Sequence, residues 1–90
     1  MSDYELVLTP PARRALTQTL PESIEAAAIE FLTGGLVAVP HRAGKPLRFE
    51  LAGVWSARRG TYRVLYRINE PAHEVIVLRV EHRRDAYRPL

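Results

Sequence analysis

The chain has no cysteine and only one lysine, one tryptophan and one methionine among its 90 residues. Without cysteine it can form neither disulfides nor thiolate metal sites, a composition compatible with the cytoplasm. Its three histidines, His41, His73 and His82, are too scattered for a zinc site, so neither a metal nor another cofactor is expected. No run reaches the ~18 apolar residues that a membrane helix needs, and no membrane partner is expected. The opening segment, MSDYELVLTPPARR, lacks a basic stretch followed by an apolar core. No secretory signal is therefore expected, and the expected location is cytoplasmic. Linkers, internal repeats and low-complexity tracts are missing too. One domain spanning residues 1–90 is the expectation for this length. So small a domain buries a modest share of its surface, which favours an open site, or one completed by a partner, over a deep cavity.

What is present is arginine, placed unevenly. Residues 1–38 hold two arginines against five acids, whereas residues 39–90 hold eleven basic residues against five acids. Twelve of the thirteen basic residues are arginine. A GC-rich genome accounts for arginine over lysine, but not for the crowding into the second half. The guanidinium is a planar fork that matches phosphate and stays charged. A basic half therefore reads as a surface facing a polyanion.

The hydrophobic spacing predicts an α+β fold of order β-α-α-β-β-β. Tyr4 to Leu8 alternates as a short strand. Thr9 before Pro10 and Pro11 is a helix-start signal, and a helix over about 11–19 follows. Pro21 opens a second helix, with Ile24, Ala27, Ala28, Phe31 and Leu32 on one stripe. Gly34 and Gly35 are expected to end or break it. Residues 40–48 read as a loop. Three strands are then expected, over about 49–59 with a bend at Gly53, over 61–68 and over 74–80. The expected sheet is mostly antiparallel, with about four strands and the two-helix hairpin packed on one face.

Strand alternation assigns the side chains to faces. Ser56 and Arg58 share one face, and Arg63, Leu65 and Arg67 share one on the next strand. In the last strand Val75, Val77, Arg79 and Glu81 alternate with Ile76, Leu78, Val80 and His82. An open face could then gather Arg58, Arg63 and Arg67 and, from the strand end, His82 or Arg83. Cleaving RNA through its own 2′-hydroxyl requires that hydroxyl to lose a proton, the charge on phosphorus to be stabilised and the 5′-oxygen to leave. Arginine serves the second need, and histidine can move protons at neutral pH. Tyrosine can donate a proton or stack on a splayed base. On these grounds alone RNA cleavage, general nucleic-acid binding and a protein-interaction role all stay open. Tyr62, Tyr66 and Trp55 read as packing residues, and His41 and Lys45 as exposed loop residues.

Particular segments go further. GKPL at 44–47, LAGVWSARRG at 51–60, TYRVLYRI at 61–68 and the ending VEHRRDAYR, preceded by TPPARRAL and LPES, closely resemble the RelE-type toxins of bacterial toxin–antitoxin modules, most of all their actinobacterial branch. The resemblance covers nearly the whole chain and places it in the RelE/ParE superfamily. It implies a metal-independent endoribonuclease that cuts messenger RNA in the ribosomal A site and leaves a 5′-hydroxyl. It implies a cognate antitoxin of RelB or similar type, and contact with operator DNA only through that antitoxin.

Residue by residue, Arg63 matches the arginine that contacts the scissile phosphate. Arg83 matches the one that stabilises transition-state charge, and Arg58 a further basic position. His82 matches the general acid of YoeB-type toxins, and Tyr87 the C-terminal catalytic or stacking tyrosine. Lys45, Arg59, Arg67 and Arg84 are expected to bind RNA. Ser56 stands where a catalytic lysine is found in the best-known relative. Lys45 and Pro46 stand where YoeB-type toxins place a glutamate base, so the base is unassigned. Two other readings compete: a ParE-like toxin acting on DNA gyrase, and a non-catalytic module that binds antitoxin or acts as a co-repressor.

Overall fold

A computed structural model describes residues 3–82. Strand β1 (Glu5–Leu8) leads into helix α1 (Pro10–Arg14), which runs on as a π-helical turn over Ala15–Thr19. Thr9 caps α1, its hydroxyl accepting from the Ala12 amide, with proline in the first turn as the sequence suggested. Helix α2 (Glu22–Phe31) continues through a π segment over Leu32–Leu36. The expected break at Gly34 and Gly35 does not occur. Leu32 and Leu36, on either side of the pair, are 1% and 0% exposed. Burying two leucines is worth several kcal/mol, more than the ~1 kcal/mol that each helical glycine costs.

A short helix α3 (Pro40–Ala43) and a two-residue strand β2 (Lys45–Pro46) occupy the segment expected to be loop. A strand of two residues, one of them proline, has no periodicity to read. It is held by position: the Leu47 amide donates to the Val54 carbonyl at 2.8 Å. The strand expected from residue 49 begins only at Trp55, because Phe49–Leu51 form a 3₁₀ turn. Phe49 and Gly53, at φ 59° and 93°, turn the chain out of the extended path. Strands β3 (Trp55–Arg59), β4 (Tyr62–Asn69) and β5 (Glu74–His82) complete the chain to residue 82.

The sheet has five strands rather than four, in the order β1-β5-β4-β3-β2, antiparallel except where β1 lies parallel to β5. Its inner face sends Tyr62, Val64, Tyr66, Val75, Val77 and Val80 against Ala12, Leu16, Ala28, Leu32 and Leu36 of the helical layer. No helix of the described residues is long and apolar enough to cross a membrane. His41 is an exposed residue as expected, but it is tied down: its Nε2 lies 2.8 Å from Glu70, whose other oxygen accepts from the Tyr4 hydroxyl at 2.7 Å.

Tyr66 lies at the centre of the core with no exposed surface, and its hydroxyl donates to the Pro40 carbonyl at 2.7 Å. Burial pushes its phenol up to about 12, with Arg59 pulling the other way. An unfolded tyrosine ionises near pH ~10, so between there and about 12 the unfolded chain loses a proton that the fold retains. Stability is therefore intact below pH ~10 and falls as pH rises, by up to about 3 kcal/mol from this residue. Urea midpoints should drop across that window and drop less in Tyr66→Phe. An equal fall in the variant would assign the loss elsewhere.

Candidate nucleic-acid interface

The outer face of the sheet, opposite the helices, is set by strand register. Residues directly paired across antiparallel strands point the same way. Arg58 of β3 faces Arg63 of β4, and Arg63 in turn faces Glu81 of β5. The adjacent row runs Lys45, Ser56, Leu65 and Arg79 across β2, β3, β4 and β5. Arg67 lies farther along β4, opposite Ile76. Its Nη1 stands only 2.9 Å from where a Cβ on Gly53 would be, so the glycine lets the β2–β3 loop approach it. Five cations thus share one open surface with the carboxylate of Glu81.

A bulge brings Arg79 and Glu81 there. Leu65 pairs with Arg79 but Tyr66 pairs with Val77, which leaves Leu78 as an extra residue in β5. Past the bulge the alternation inverts. Val75, Val77 and Val80 are all buried, and Arg79 and Glu81 turn outward. Simple alternation put Arg79 and Glu81 on the side of Val75 and Val77, and the structure corrects this. The bulge is braced by Thr9, whose hydroxyl lies 3.0 Å and 2.8 Å from the Val77 and Leu78 carbonyls.

The same inversion relocates His82. It pairs with Tyr62, whose hydroxyl reaches back to the Ala27 carbonyl of α2 at 3.4 Å. His82 therefore lies on the helix side and does not join Arg58 and Arg63, contrary to the grouping expected from alternation. Arg59 is also turned inward. Its guanidinium sits 4.5 Å over the Phe31 ring and donates to the Ala43 carbonyl at 2.9 Å. Its geometry is that of a strut between sheet and helix, and not of an RNA contact. Arg83, Arg84 and Tyr87 lie outside the described residues.

Arg63 is the best-held cation of the face. Its Nη2 and Nε donate to Glu81 Oε1 at 2.6 Å and 3.3 Å. Arg79 Nη1 is 3.6 Å from the other oxygen, Oε2. Arg58 and Arg63 are directly opposed like charges, an arrangement that costs up to ~1 kcal/mol where no anion intervenes. Glu81 relieves it only from the far side of Arg63. A surface built this way suits a bound polyanion, whose phosphates supply the missing negative charge. Among the described residues no group of three or more His, Asp or Glu side chains is placed to hold a metal ion.

An α+β layer with helices on one face of a five-stranded mixed sheet matches the fold of solved RelE-type toxins. Residues 6–87 match the family described as ParE toxin of type II toxin–antitoxin system, parDE, and the chain belongs to that family. It is 55% identical over 85 residues to Toxin RelG of Mycobacterium tuberculosis, covering 94% of this chain and 97% of the relative. It is 48% identical over 91 residues to Toxin RelE of the same organism, covering 98% and 93%. Among solved structures, the toxin–antitoxin complex RelBE2 from M. tuberculosis contains a chain that superposes with a TM-score of 0.87 at 54% identity, covering 91% of this chain and all of that one. The archaeal RelE–RelB complex from Pyrococcus horikoshii contains one at TM-score 0.69 and 26% identity, over 91% and 97%.

Proposed function

We propose that this toxin is an endoribonuclease that cuts messenger RNA in the ribosomal A site by attack of the 2′-hydroxyl on the adjacent phosphate. The observation that carries the reading is the convergence of Arg58 and Arg63 on one open surface, with Lys45, Arg67 and Arg79 around them. Arg63 and Arg58 hold the scissile phosphate and stabilise the charge that develops on it. Lys45, Arg67 and Arg79 follow the RNA backbone on either side. The sequence resemblance adds Arg83 to the charge-stabilising set, Arg84 to RNA binding and Tyr87 as a stacking or proton-transfer residue. The proton-transfer role that the resemblance gives His82 has no support from the register. The chemistry needs no metal. The site is shallow and open, which suits a substrate presented by the ribosome. A cytoplasmic location follows from this reading.

The test is mapping of transcript 5′ ends after induction, with and without translation running. In-frame cuts that vanish when translation is blocked support the reading; intact messages sink it. A gyrase-directed reading draws on the family's description as ParE toxins. It expects a DNA-damage response without transcript cuts. A non-catalytic module would leave growth unaffected.

Relatives solved as toxin–antitoxin complexes support a cognate antitoxin for this chain. An apolar groove of about 250 Å³ runs between β1 and the helices, lined by Leu6, Leu8, Leu16, Ile29 and Leu32 among others. Ile29 is 42% exposed there. We assign this groove to an amphipathic segment of the antitoxin; contact with operator DNA only through the antitoxin rests on the sequence resemblance. Ile29→Glu should weaken co-purification of the antitoxin at least tenfold while leaving toxicity in place. Unchanged co-purification would move the contact elsewhere.

A further inference from the structure

Among the described residues, the open face holds one carboxylate, Glu81, that can accept a proton where Arg63 would hold a phosphate. We propose that Glu81 is the general base of the cleavage step, taking the proton from the attacking 2′-hydroxyl; this rests on the nuclease reading above.

Three observations carry it. First, the β5 bulge turns Glu81 outward into the arginine row. Second, Arg63 binds the carboxylate through one oxygen only, with Nη2 and Nε both directed at Oε1. Among the described residues, the other oxygen, Oε2, has only the 3.6 Å approach of Arg79, too long for a good hydrogen bond. It keeps lone pairs free for an incoming hydroxyl. Third, Arg63 has five N–H donors and spends two on Glu81, so the remaining edge can take a phosphate oxygen. Carboxylate and phosphate would then sit side by side on one guanidinium. A 2′-oxygen in line for attack lies about 3–3.5 Å from phosphorus, within reach of a carboxylate held this way.

The other candidates fail on placement or chemistry. His82 lies on the helix side. Lys45 is on the edge strand, one row away from Arg63, and an ammonium only donates. Arg63 from β4 and Arg79 from β5 flank the carboxylate, Arg58 from β3 lies beyond Arg63, and all three likewise have no acceptor.

The step balances within the RNA. The 2′-O–H proton passes to Oε2, the 2′-oxygen bonds to phosphorus, and the bond from phosphorus to the 5′-oxygen breaks. The products are a 2′,3′-cyclic phosphate and a 5′-hydroxyl. The departing oxygen takes its proton from water, and Glu81 returns the proton it took to solvent.

Glu81→Gln separates a base from a counter-ion. The amide keeps the shape and can still accept from Arg63, but it cannot take up the proton. On programmed bacterial ribosomes carrying a message that the wild type cuts, Glu81→Gln should lower the single-turnover rate by about 10²–10⁴-fold. Its affinity for the same message carrying 2′-deoxyribose at the cut should be unchanged or tighter, because a negative charge beside the bound phosphate has gone. Glu81→Asp should recover part of the rate. Cleavage by Glu81→Gln at the wild-type rate or faster would reduce Glu81 to a counter-ion and overturn the assignment. So would a loss of message affinity or of the folded circular-dichroism spectrum that parallels the loss of rate. If the wild type itself cuts nothing, the nuclease reading fails and the assignment with it.

Discussion

Arg63→Ala should lower message cleavage by about 10²–10³-fold, the usual cost of removing one group that stabilises charge in the transition state. Growth arrest should disappear while the protein folds and binds antitoxin as before. The fold tolerates the change because Arg63 is on the outer face and its partner Glu81 is also there, in reach of Arg79. What it loses is position. The guanidinium is the middle member of a row, with Arg58 on one side and Glu81 on the other. No neighbouring strand can supply a replacement at that point. Arg83→Ala is expected to act likewise on the strength of the sequence resemblance. Single-turnover cleavage on ribosomes measures both. If both variants remain fully toxic, the open face is not the site.

Tyr66→Ala has the largest expected effect on stability. It removes a fully buried ring, the largest of the fully buried side chains among the described residues. Aromatic-to-alanine changes in cores cost about 3–5 kcal/mol, against a typical total of ~5–15 kcal/mol for a domain. The hydroxyl matters separately. Without it the Pro40 carbonyl loses its 2.7 Å partner, and the short helix that leads to Lys45 loses an anchor. Gly44 follows that helix, and it packs so tightly that a Cβ would come within 2.6 Å of the Tyr66 hydroxyl and 2.5 Å of the Ser56 carbonyl. Tyr66 thus secures the GKPL segment against β3, and through it the edge of the cationic face. Denaturant midpoints of Tyr66→Ala and Tyr66→Phe should fall in that order of severity. A midpoint of Tyr66→Ala within about 1 kcal/mol of the wild type would contradict this view of the core.

Much of the molecule was legible before any coordinates. Thr9 with Pro10 and Pro11 marked a helix start because capping is local chemistry. Tyr62, Val64 and Tyr66 marked an inner face because strand alternation is also local, and that same alternation set Arg63 and Arg67 outward. Arg58 came out on the same surface as Arg63 because a hairpin turn at Gly60 and Thr61 leaves few registers. The pair Gly34 and Gly35 suggests a break that does not form, because glycine's helix cost is a local preference and the burial of Leu32 and Leu36 outweighs it. Strand β2 was invisible because its two residues pair only where β3 happens to lie.

The bulge was the consequential omission. Nothing in EVIVLRVEH announces that one residue is skipped. The skip is decided at long range, where Leu65 and Tyr66 straddle it from the next strand and Thr9 bonds the carbonyls of Val77 and Leu78. It moves His82 inward and Glu81 outward, exchanging one proton-transfer candidate for another. Composition and periodicity were enough to establish an arginine-rich, mostly antiparallel sheet under a helical hairpin, because charge, capping and side-chain period act between near neighbours. Which ionisable groups share the open face depended on register between strands up to 69 positions apart along the chain, and register is settled by packing that no short stretch of residues encodes.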